Sequence, residues 1–158
     1  MNSRAIAIIG GLLALWMSAG RWVFGIGGSL TWWYVPTIGL LYAGLCIWIA
    51  ARVRITRERG RRTGRSTIVS LVLSWVCAVG FGFTVPDRTE DGLASIIGHL
   101  AGSAFGDEMA IALCNPLGIV AFTLAIFSLA FAHVDARDPK PEIEEYEGEG
   151  QMPTHPLA

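Results

Sequence analysis

ARVRITRERGRRTGR, residues 51–65, holds seven of the twelve basic residues of this 158-residue chain, all arginine, against the single acid Glu58. Its meaning depends on its flanks, and both are apolar. Thirty residues without a charge precede it (Trp22 to Ala51), and twenty-one follow it (Ser66 to Pro86). A third run of twenty-six, from Met109 to Val134 with His133 taken as neutral, lies further along. A bilayer core about 30 Å thick needs roughly twenty apolar residues at helical rise, so each run is long enough to span. The chain is 53% hydrophobic and only 16% charged, which excludes an ordinary soluble domain.

A fourth apolar stretch opens the chain. Ala5 to Gly20 is slightly short, but Arg21 can snorkel and Trp22 and Phe24 suit an interface, so the helix is expected to continue to Phe24. Arg4, the apolar stretch and the small trio Ser18, Ala19 and Gly20 also resemble a secretory signal with its cleavage site. Arg21 and a second apolar run follow at once, which favours an uncut helix. Gly25 to Ser29 is a glycine-rich turn short enough to make the first two helices an antiparallel hairpin. Trp32, Trp33 and Tyr34 near the start of the second span, and Trp48 near its end, match the two headgroup levels. Pro36 falls in the early turns, where a missing amide costs least.

The predicted fold is therefore all-α: a polytopic membrane protein with four transmembrane helices as an antiparallel bundle, at about 5–24, 30–50, 66–86 and 109–134. A short arginine-rich loop stays on the cytoplasmic side, because its translocation is disfavoured and the inner leaflet is anionic. That places both termini in the cytoplasm and residues 86–108 outside, where Asp87, Glu90, Asp91, Asp107 and Glu108 face Arg88 alone. The expected location is the plasma (cytoplasmic) membrane. Arg52, Arg54, Arg57, Arg59, Arg61, Arg62 and Arg65 are read as contacts to anionic lipid headgroups. A nucleic-acid arm would carry aromatic residues among the arginines, and this one has none, so no nucleic-acid partner is expected.

Within lipid, helices associate through close backbone approach at small residues. Each span has such a stripe: Gly10, Ala14, Ser18; Gly39, Ala43, Cys46, Ala50; Ser70, Ser74, Ala78, Gly82; and Gly118, Ala121, Ala125, Ser128, Ala132. They suit a compact bundle, or homo- or hetero-oligomer contacts through small-residue faces. Cys46, Cys77 and Cys114 fall one to a span without metal-binding or disulfide spacing and read as small packing residues.

Three places invite chemistry. In the outer loop, Gly92 to Gly106 repeats Leu93, Ile96, Ile97, Leu100, Ala101 and Ala104 at three and four, which predicts a short interfacial helix or a re-entrant turn. Glu90 and Asp91 would complement its dipole, and Asp107 would cap the fourth span. His99 lies between Ser95 and Ser103 on the opposite face, without a carboxylate at helical spacing to orient it. In the fourth span, Pro116 predicts a kink or break near Leu113, and Asn115 brings an amide to membrane depth. The pair suits a discontinuous-helix solute site, or a proline kink with Asn115 bonded to a neighbouring helix. His99, Asn115 and Pro116 are thus the candidate functional residues. No catalytic set, cofactor or metal site is expected.

From Asp135 the chain carries seven acids, two bases and four prolines, and residues 135–158 are expected to form a disordered acidic C-terminal tail on the same side as the arginines. It suggests an electrostatic switch in which the tail competes with acidic lipid for the loop. The leading functional expectation is a non-enzymatic accessory or scaffold subunit of a bacterial envelope complex. Eleven arginines to one lysine hint at a GC-rich bacterium. The alternatives are a small channel, transporter or holin-like pore built around Asn115 and Pro116, and an outer-surface lipid enzyme resting on His99.

Overall fold

Four helices are long and apolar enough to cross a membrane: Ser3–Phe24, Thr31–Glu58, Arg65–Thr84 and Glu108–Asp135. The computed structural model describes residues 2–90, 92–102 and 106–137, with the side chain of Asp107 excepted, and the expected tail from residue 138 on lies outside them. Helix α1 (Ser3–Ala19) starts where Asn2 accepts the Arg4 amide and continues as a 3-10 turn to Phe24. Gly25, at a left-handed φ of 72°, reverses the chain.

The second helix begins as α2 (Thr31–Tyr34), passes through a π turn at Val35–Gly39 and continues as α3 (Leu40–Glu58). The π turn surrounds Pro36, which lacks an amide, and the Leu40 amide reaches back to the Val35 carbonyl. This helix runs eight residues beyond the expected end at Ala50. The arginine stretch is therefore largely helical, and only residues 59–64 form a turn. Arginine is a good helix former and no breaker occurs before Gly60, where φ is 71°. Arg54 and Glu58, paired at 2.7 Å across one turn, extend it further.

Helix α4 (Arg65–Thr84) is followed by a small antiparallel hairpin, β1 (Asp87–Thr89) with β2 (Gly92–Ala94), that pairs Asp87 with Ala94 and Thr89 with Gly92. The segment expected to be helical over 92–106 is thus a strand first, and its helix α5 spans only Ile96–Ala101. Helix α6 (Asp107–Asp135) has Gly106, not Asp107, in the cap position. It runs continuously through Pro116, so of the kink or break expected near Leu113 the break does not occur.

The helices pack as an antiparallel bundle with two apolar layers. Ile6, Ile49, Val53, Leu71, Leu129 and Ala132 fill the end near the arginine turn. Met17, Tyr42, Cys46, Ala78, Phe81 and Ala121 are among those that fill the middle and the hairpin end. The small-residue stripes turn inward: every member is buried except the half-buried Ala43. Gly10 lies against Cys46, Gly82 against Trp16 and Gly118 against Phe81, so close that a Cβ at any of the three would collide. The large aliphatic residues Ile8, Leu12, Leu41, Val76 and Ile119 point outward.

Several polar groups inside the bundle are paired across helices, whereas the Trp75 indole nitrogen is buried without a hydrogen-bond partner among the described residues. The Ser74 hydroxyl donates to the Ala121 carbonyl at 2.7 Å, so the Tyr42 hydroxyl, 2.8 Å away, donates to Ser74. Ser128 donates to the Thr67 carbonyl and the Trp16 indole to the Val79 carbonyl. Each of these bonds joins two different helices, and those of the buried Tyr42, Ser74 and Ser128 hydroxyls substitute for the water they have lost.

Candidate functional site

The two ends of the bundle carry most of its chemistry. At the hairpin end, Arg21 and Asp87 form an ion pair, Nε to Oδ2 at 3.2 Å, with both side chains fully buried. Arg21 was expected to snorkel outward. Instead the 3-10 turn after Ala19 carries it inward, between the start of α2 and the residues just past α4. Its Nη2 donates to the Ser18 carbonyl at 2.6 Å and to Thr31 Oγ1 at 3.4 Å, and its guanidinium lies 4.9 Å from the centre of the Tyr34 ring. Nη1 is buried without a hydrogen-bond partner among the described residues.

Asp87 is more completely satisfied. Its Oδ2 accepts from Thr31 Oγ1 at 2.6 Å, and its Oδ1 accepts the amides of Leu30 at 2.9 Å and Arg88 at 2.8 Å. The Gly28 amide also bonds to the carboxylate. This demands glycine at position 28, since a Cβ would run into the Arg88 carbonyl oxygen. Burial pushes the Asp87 carboxyl up, but hydrogen bonds from Thr31 and from the Gly28, Arg88 and Leu30 amides outweigh it and hold the pKa below the usual carboxylate value. A carboxylate so thoroughly bonded is a structural anchor and a poor proton acceptor. The Trp22 indole donates to Thr31 Oγ1 at 3.2 Å and closes the cluster from above.

At the other end, Asp135 caps α4: its Oδ2 accepts the Gly64 amide and the Thr67 hydroxyl, each at 2.8 Å. Assigned to the tail on sequence, it is the last residue of α6. Arg59 and Arg61 donate to the carbonyls of Ala136 and Arg137, placing cations at the carboxyl end of α6, where the helix dipole favours them. Of the other arginines expected to touch lipid, Arg52 is half-buried on α3, while Arg57, Arg62 and Arg65 are exposed.

The candidates chosen from sequence do not converge. His99 is exposed on α5. Ser95, far from sharing its face as a nucleophile, is buried and caps α5 by accepting the Gly98 amide at 3.0 Å. Ser103 and Asp91 lie outside the described residues. Asn115 and Pro116 are exposed on the outer side of α6; among the described residues Asn115 has no bond to a neighbouring helix, and its Oδ1 accepts from the Cys114 thiol at 3.8 Å. Among the described residues, no group of three His, Cys, Asp or Glu side chains is placed to hold a metal. Replacing His99 by alanine is expected to change melting temperature negligibly and to leave any phenotype of the gene intact. Complementation of a deletion strain checks this, and loss of function would restore His99 as a working residue.

No protein-family model matches this chain, and no curated protein and no solved structure matches it either.

Sequence reasoning missed the Arg21–Asp87 pair, although a signal was present. Arg21 ends the first span and Asp87 follows the third after Pro86, so an antiparallel bundle brings these opposite charges to one end.

Proposed function

We propose that this chain crosses a bacterial plasma membrane four times, with both termini in the cytoplasm. In this reading it serves as a non-enzymatic accessory or scaffold subunit of an envelope complex. One observation carries the membrane reading: the bundle keeps its small and polar residues inside and turns Leu, Ile and Val outward over the length of all four helices. In water such a surface would be a large exposed apolar patch; in lipid it is the expected exterior. The arginine turn at one end and the acids of the hairpin end support the orientation, with the arginines inside.

Two features support a scaffold role. The chemistry at the hairpin end is closed and fully bonded around Asp87, which favours a fixed shape. An open apolar groove of about 120 Å³ remains between α1 and the second helix, lined by Gly11, Ala14, Ser18, Gly39 and Ala43 among others. It is a place where another transmembrane helix can approach closely through small residues. The arginine end supplies contacts to anionic headgroups.

Reporter fusions are expected to place Gly60 in the cytoplasm and Glu90 outside, and the chain is expected to resist extraction by alkaline carbonate. A Gly60 fusion found outside, or full-length protein recovered from the aqueous fraction without detergent, overturns the membrane reading. A stoichiometric partner identified by mass spectrometry after mild solubilisation is the expected result for a scaffold subunit. Solute flux in proteoliposomes would replace the scaffold role with a pore.

A further inference from the structure

Glycine 60 does more than end a helix. Its left-handed backbone lets the Arg61 amide reach the Thr56 carbonyl at 3.0 Å, five residues back, while its own amide bonds the Arg57 carbonyl at 2.9 Å. The chain therefore folds back on the last turn of α3, and Arg61 and Arg62 return beside Arg57. Together with Thr63 and Ile68 they line a cavity of about 270 Å³. Among the described residues, no acidic side chain lines it. The two acids described at this end are engaged elsewhere, Glu58 with Arg54 and Asp135 with Gly64 and Thr67.

We propose that this cavity binds phosphate, specifically the headgroup phosphate of an anionic lipid. Three guanidiniums held around one space repel one another, and an anion between them removes that cost. Guanidinium donors match phosphate oxygens in pairs, and the Thr63 hydroxyl adds a further donor. Arg61 is steadied by the Arg137 carbonyl, so part of the ordering is complete before a ligand arrives. The cavity is smaller than the roughly 300–1,000 Å³ sites of drug-sized ligands, which suits a headgroup better than a large solute.

The fifth wall separates lipid from free phosphate. Ile68 lies in the first turns of α4, and the exposed Val69 and Val72 follow it along the helix. A phosphate seated among the arginines thus has an apolar track at its side, where acyl chains lie and a free ion gains nothing. This step rests on the membrane reading of the chain, whereas the clustering of Arg57, Arg61 and Arg62 does not.

The test uses the full chain in neutral detergent, titrated separately with phosphatidylglycerol, phosphatidylcholine and inorganic phosphate, and read by native mass spectrometry and by thermal protection. Phosphatidylglycerol is expected to bind saturably. Arg57→Gln or Arg62→Gln should each weaken it about tenfold, as expected for loss of one charge-assisted contact. Arg4→Gln and Arg88→Gln, exposed arginines outside the cavity, should weaken it by no more than about twofold. Variants count only where melting without lipid matches the wild type. Equal loss in all four variants would show diffuse attraction and overturn the site. Equal protection by inorganic phosphate would keep a phosphate site and overturn the lipid. Neither result depends on where the protein fractionates, so failure here is separable from failure of the membrane reading.

Discussion

Replacing Asp87 by asparagine is expected to be among the most damaging single changes in this chain, costing about 3–5 kcal/mol, because it leaves the Arg21 cation fully buried without a counter-ion. Asparagine preserves the shape and still offers an oxygen to the Leu30 and Arg88 amides, while the atom facing Arg21 and Thr31 becomes a donor, so the loss reports on the charge and on those two bonds. Asp87→Ala should cost more, since those two amides then lose their acceptor as well. The double variant Arg21→Met with Asp87→Asn removes the stranded cation and should recover most of the loss. Unfolding titrations in detergent check all three, and a wild-type melting temperature for Asp87→Asn would show that the pair contributes nothing.

The same pair fixes a pH dependence. A carboxyl whose folded-state pKa is depressed stabilises the fold fully above its unfolded value, about 3.9. That contribution disappears as the pH falls through the still lower folded value. Stability from Asp87 is therefore constant across neutral pH and is lost only below about pH 4. In the Asp87→Asn background that acid-side loss should shrink.

The second large effect concerns close approach between helices. Gly10→Leu drives a side chain into Cys46 and should cost about 1–3 kcal/mol or more, whereas Gly11→Leu, one residue away with open space around it, should fall within about 0.5 kcal/mol of the wild type. Gly39→Leu, where a Cβ already meets Ser18 Oγ at 3.1 Å, and Ala78→Leu, at a fully buried position, belong with Gly10. Gly44→Leu, in open space, belongs with Gly11. If Gly10 and Gly11 variants melt alike, the inward stripes contribute no packing specificity.

The four long helices were legible because charge-free runs of the right length are a local signal that needs no knowledge of neighbours. Their ends were less so. The rule that charge ends a span concerns lipid, while helix continuation concerns backbone propensity, and Arg52, Arg54 and Arg57 obey the second. The short hairpin was less legible, because Gly92 stands in β2 opposite Thr89 and not in the two-residue loop, and the helical repeat from Leu93 onward masked the strand. The small-residue stripes showed which faces meet without showing which helix each one meets. The buried pair joins residues 66 apart, and its neighbours Thr31 and Gly28 come from yet another segment, so only the assembled end of the bundle reveals it. Conversely, Asn115 and Pro116 drew attention by residue type, yet a helix face is decided by phase, and theirs points outward.

Asp135 gives the bundle an order of assembly. The Gly64 amide and the Thr67 hydroxyl lie at the amino end of α4, but the carboxylate that satisfies them is synthesised 71 residues after Gly64. At roughly 5–20 residues per second, a ribosome needs about 4–14 seconds to deliver it. For that interval α4 has an open first turn and the arginine turn has no carbonyls to grip. Helix α6 is thus the clasp, and a nascent chain released before Asp135 leaves one end of the molecule unfastened.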